Sequence, residues 1–117
     1  MNINTKPSRK DIRDLLVKLH VQPGLSGHQY IEDFVMDYFD NDGQMPDITT
    51  WYDIESKRVN KVKAANIERS IRTIMQFIRD YTGSDTNTIK LINEIFVTEN
   101  LTNKHFLYAI CNYFRND

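Results

Sequence analysis

An all-α, single-domain fold of six helices is predicted by three features of this 117-residue chain. Apolar residues recur at helical spacing through every long segment, and no segment reads convincingly as a strand. Only four Gly and three Pro are present, too few for a loop-rich or disordered protein. The 40% hydrophobic and 26% charged composition is that of an ordinary globular protein with one core.

The first helix opens at Ser8, with Asp11 at capping-box spacing. Its Ile12, Leu15, Leu16 and Leu19 keep a helical period up to His20, before Pro23 and Gly24 break it. Residues 1–10 are expected to form a flexible N-terminal segment ahead of a domain over 11–117. Ser26 or Gly27 begins a second helix whose apolar side is Tyr30, Ile31, Phe34, Val35, Tyr38 and Phe39, ending in the turn Asp40-Asn41-Asp42-Gly43. After Pro46, either Asp47 or Thr49 caps a third helix, Thr50 to Arg58. Val59-Asn60 joins it to the fourth, Lys63 to Tyr81, because Asn tolerates the left-handed conformation such a bend needs. The fifth spans Asn87 to Phe96, and the sixth, capped by Thr102, spans Asn103 to Phe114.

Helices three and four outline a helix-turn-helix. At about 100° per residue, Ile67, Ile71, Ile74 and Ile78 fall in one stripe while Ala65, Glu68, Arg69, Arg72 and Gln76 crowd the opposite face. An Arg guanidinium can donate two hydrogen bonds to guanine O6 and N7, and a Glu carboxylate can accept from cytosine N4. Glu68 lies four residues before Arg72, close enough to hold its guanidinium in position. Ala64 and Ala65 at the start of the helix leave room for a sugar-phosphate wall. Glu68, Arg69 and Arg72 are therefore expected to contact bases, and Lys57, Arg58, Lys61, Lys63, Ala65 and Asn66 to contact phosphates. The chain as a whole is net −1, but residues 55–80 hold seven basic residues against three acidic, a balance of +4 that leaves −5 elsewhere. A basic patch on an acidic body favours one docking orientation on a polyanion over loose sliding.

Other chemistries find little support. Aligning Gly43 with the sixth position of an EF-hand loop puts Tyr38 first and Thr49 twelfth, which fails at two obligatory calcium ligands. His20, His28, His105 and the lone Cys111 lack zinc-ligand spacing, so no cofactor is expected. Cys111 lies among Phe106, Ile110 and Phe114 and reads as core rather than nucleophile. No catalytic set is present and no enzyme activity is expected. No apolar run approaches a membrane span and the polar N-terminus is no signal peptide, so a cytoplasmic protein without membrane contact is expected.

The chain resembles the C-terminal DNA-binding (effector) domain of the stage-zero sporulation response regulator A. The likeness runs from about Ile12 to Arg115. It is carried by Ile12 through Val35, with Gly27 and Tyr30-Ile31-Glu32; by Asp53-Ile54 and Lys57; by Ile67-Glu68-Arg69-Ser70-Ile71-Arg72; and by Thr102-Asn103 with Phe106. The resemblance implies a six-helix domain that inserts the second helix of its helix-turn-helix into the major groove, with Glu68, Arg69 and Arg72 matching the family's Glu-Arg-Ala-Ile-Arg at its three polar positions. Just upstream the family has Thr-Thr-Ala-Ser-Arg where this chain has Val62-Lys63-Ala64-Ala65-Asn66, and Lys61 and Lys63 supply substitute phosphate contacts. The likeness is to a free-standing effector domain without the receiver, so control by aspartyl phosphorylation is not expected.

The expectation is a sequence-specific duplex-DNA-binding transcriptional regulator, monomeric or weakly dimeric when free and paired on adjacent half-sites, with helices five and six available to a second copy or to RNA polymerase. The competing readings are a helix-turn-helix interaction module that binds a regulator or RNA polymerase, and a DNA-binding protein of plasmid or phage maintenance.

Overall fold

A computed structural model describes residues 6–44, 47–60, 62–96 and 102–115. It contains α1 (Arg9–Lys18), α2 (Ser26–Asp40), α3 (Ile48–Arg58), α4 (Ala64–Arg79), α5 (Thr86–Ile95) and α6 (Asn103–Arg115), and no strand among the described residues. The predicted class and the order of helices hold.

The helix ends follow local chemistry. Ser8 caps α1 in a full capping box with Asp11, so helical order begins at Arg9, inside the segment expected to be flexible. Lys6 pairs with Asp40 and Pro7 is buried, while residues 1–5 lie outside the described residues. α1 stops at Lys18 rather than His20. His20 takes the left-handed conformation (φ 63°), its N–H bonding to Val17 O and that of Val21 to Leu16 O. α2 ends the same way at Asp42 (φ 57°), with Gly43 N–H on Tyr38 O. Asp47, not Thr49, caps α3 by accepting from the Thr50 N–H, which starts that helix two residues earlier than predicted. Asp85 caps α5 through the N–H groups of Asn87 and Thr88.

α2 lies at the centre, against α1, α4 and α6, and α4 packs in turn on α3 and α6. The core joins Ile12, Leu15 and Leu16 of α1, Ile31, Phe34, Val35 and Tyr38 of α2, Trp51 of α3, the isoleucine stripe of α4, and Phe106, Leu107, Ile110 and Cys111 of α6. Gly27 permits a close approach of α2 to α4. A Cβ there would lie 2.6 Å from both Ile74 Cδ1 and the Ser70 carbonyl oxygen, so α2 crosses α4 here with no side chain of its own at the contact.

Candidate nucleic-acid interface

The turn between α3 and α4 is held by its own backbone and one side chain. Val59 closes α3 by donating to Glu55 O, Asn60 is left-handed at φ 60° as its residue type predicts, and Ser56 Oγ donates to Val62 O. Lys63 occupies the N-cap of α4 without a side-chain cap, and its carbonyl accepts from Asn66 and Ile67. The helix therefore starts on the small residues Ala64 and Ala65, and among the described residues no side chain caps its positive end.

From there the periodicity works as predicted. Ile67, Ile71 and Ile74 are fully buried and Ile78 nearly so, while Ala65, Asn66, Arg69, Arg72 and Gln76 are exposed. Glu68, half-buried, holds Arg72 with Oε1 2.9 Å from Nη1, the expected i,i+4 pair. Among the described residues nothing pairs with Arg69. The hydroxyls of Ser70 and Thr73 fold back onto the Asn66 and Arg69 carbonyls, so neither projects a free donor.

The positions expected to meet phosphate divide into three groups. Lys57, Lys63 and Asn66 are exposed around the turn, and Ala65 offers a backbone N–H. Lys61 lies outside the described residues. Arg58, also exposed, is held by two acids of the fold: its Nη2 and Nη1 lie 2.7 and 3.2 Å from the two Asp37 oxygens, and its Nε donates to Glu55 Oε1 at 2.7 Å. These bonds hold the guanidinium firmly charged, yet they neutralise that charge locally.

The acid behind Arg58 is unusual. Glu55 is fully buried, with Oε2 unpartnered, and burial together with the neighbouring Asp33 pushes its carboxyl up to about 8. Asp33 in turn faces Arg9 at 2.7 Å, while Glu32 lies 3.5 Å from Arg9 and 3.7 Å from Arg13. Asp37 also accepts from Trp51 Nε1 at 2.8 Å, and Trp51 packs edge-on against Phe34. A ring only 1% exposed cannot stack on a base, so Trp51 is core.

Two more residues touch the exposed helix from behind. Asn103, first residue of α6, donates from Nδ2 to the Glu68 carbonyl at 2.8 Å and to the Tyr52 hydroxyl at 3.1 Å. Burial pushes the Tyr52 phenol up, the Glu68 carboxylate adds to this, and Asn103 and Arg72 oppose it. Neither contact has a signal in residue spacing, since the partners are 35 and 51 positions apart. Elsewhere Cys111 is fully buried, which pushes its thiol up and away from reactivity. No group of three metal-ligating side chains occurs and no helix is long and apolar enough to cross a membrane, among the described residues.

Residues 12–114 match the family described as sporulation initiation factor Spo0A C terminal. No curated protein and no solved structure gave a match.

Proposed function

The chain belongs to the Spo0A C-terminal family, a family of DNA-binding effector domains, and on that premise we propose that α3 and α4 form a helix-turn-helix whose second helix reads duplex DNA in the major groove to regulate transcription. The observation that carries this reading is the division of α4, with four isoleucines seated in the core and Glu68, Arg69, Arg72 and Gln76 on the outer side. Arg69, exposed and with no side-chain partner among the described residues, is the strongest guanine reader on this face. Arg72, aimed by Glu68, is a second reader that loses less side-chain freedom on binding because the pair is already formed. Glu68 keeps lone pairs for a cytosine amine.

Lys57 and Lys63 flank the turn, and with Lys61, Asn66 and the Ala65 N–H they hold the phosphates and set register. The uncapped start of α4 adds its dipole to that contact. Arg58 takes a structural part in this scheme: pinned by Asp37 and Glu55, it orients the last turn of α3 and contributes little net charge.

Selection of bound duplexes from a random library tests the reading, and one enriched motif is expected. Titration by fluorescence anisotropy across a salt series then measures the phosphate contacts. With roughly three to five phosphates neutralised per chain, log affinity should fall with log salt at a slope of about −3 to −5. Absence of binding to any duplex at low salt would reject DNA reading by this face.

A further inference from the structure

The isoleucine stripe seats α4 in the core, and a directional contact acts on the same helix from behind. Ile67, Ile71, Ile74 and Ile78 seat α4 by close apolar packing, which carries no directional bond of its own. A hydrogen bond weakens steeply when bent or stretched. The Asn103 carboxamide supplies one at the level of the readers, bonding to the carbonyl of Glu68, the residue next to Arg69 and four before Arg72.

We propose that Asn103 is a positioning residue for base reading, fixing the rotation of α4 so that Glu68, Arg69 and Arg72 meet the base edges; this rests on the assignment of α4 as the reading helix. The Glu68 carbonyl lies along the helix axis, where the N–H four residues later takes one lone pair. Asn103 donates to the same oxygen from α6, so its bond ties α4 to a neighbouring helix rather than to itself. The same nitrogen reaches Tyr52 on α3, and one buried amide thereby ties three helices together behind the readers. The leverage is large: a turn of about 10° carries a group about 6 Å from a helix axis through about 1 Å, more than a hydrogen bond to a base edge tolerates.

The chemistry of the amide agrees with this role. Glu68 O can only accept, so the nitrogen must face it, and Asn103 Oδ1 is left buried without a donor. A side chain needed only to fill the space would be apolar and would leave no acceptor unmet.

The test compares the unmodified chain with Asn103→Leu, which keeps the volume and removes both donors, and Asn103→Asp, which keeps the shape and regains one donor only when protonated. Each is titrated with the selected-motif duplex and a random duplex at fixed salt and across a salt series. In Asn103→Leu the ratio of motif to random affinity should fall about tenfold, the size of one misaligned base contact, with random-duplex affinity and salt slope unchanged. Asn103→Asp should show the same loss at pH 7.5 and recover relative to the unmodified chain as pH falls toward 5. An unchanged ratio, or equal loss on both duplexes, overturns the proposal. Hydrogen exchange on the unmodified chain provides a measurement that needs neither variant folding nor DNA. The Asn103 side-chain amide protons should be protected, and exchange at the rate of a free carboxamide overturns the positioning role. If the unmodified chain prefers no duplex, base reading by α4 fails, and the exchange result still decides whether the amide holds the helix.

Discussion

Gly27→Ala should destabilise the protein, although alanine is the better helix former. The new methyl would sit 2.6 Å from Ile74 Cδ1 and 2.6 Å from the Ser70 carbonyl oxygen, against an ordinary contact of 3.4 Å or more. Ile74 is fully buried and has little room to turn away. The Ser70 oxygen is backbone, so relief requires α4 itself to withdraw from α2 by about 0.8 Å at that point. Overpacking of this kind costs about 1–3 kcal/mol. The propensity gain of alanine over glycine is at most about 1 kcal/mol, and less in the first turn of a helix. The steric term wins, leaving a net loss of about 1–2 kcal/mol, or roughly 4–8 °C in Tm for a domain of this size. Thermal and urea unfolding followed by circular dichroism measure it. A variant that melts at or above the parent temperature would show that α2 and α4 are not in backbone contact at this glycine, and the reasoning that places α4 would fail with it.

Arg69→Ala or Arg72→Ala should cost about 1–3 kcal/mol on the preferred duplex and relax the choice at one base pair, whereas Lys63→Ala should weaken all duplexes alike; equal losses on specific and random duplexes in competition titrations would reject the assignment of readers. Glu55, lifted from 4.5 to about 8, holds a proton in the folded state that the unfolded chain releases, so its contribution to stability is full below about pH 4.5 and is lost as pH rises toward 8. Glu55→Gln is neutral throughout, and its stability relative to the parent should therefore rise between pH 5 and pH 8 in urea unfolding; a difference that stays flat with pH would refute the raised carboxyl. Sedimentation should find a monomeric or weakly associating free protein, and a duplex with two half-sites should bind more tightly per half-site than a duplex with one; a tight dimer without DNA would reject this assembly.

Much of the architecture was legible because it is encoded locally. The capping box of Ser8 and Asp11, the left-handed Asn60 and the isoleucine stripe of α4 each involve residues within a turn or two of one another, where spacing determines geometry. Helix ends were less legible where a side chain did what Gly usually does, as at His20. The site showed its exposed half in the same way and concealed its support. Arg58 reads as a phosphate contact and Glu55 has no reading of its own, and only the packing of α3 on α2 brings Asp33 and Asp37 against them. Asn103 reads as a residue at the start of a helix, and its reach to Glu68 depends on how α6 crosses the domain. Such long-range meetings follow from tertiary packing, which has no periodic signature.

The place of α6 bears on how the protein comes into being. Phe106, Leu107, Ile110 and Cys111 are fully buried and close the core over α2 and α4, yet they belong to the last of the six helices to be synthesised. Without α6 the parts of α2 and α4 that it covers would face water, although α4 would still lie on α2 and α3. A chain shortened before Asn103 therefore carries uncovered apolar surface, the kind of surface that makes incompletely folded chains prone to aggregate.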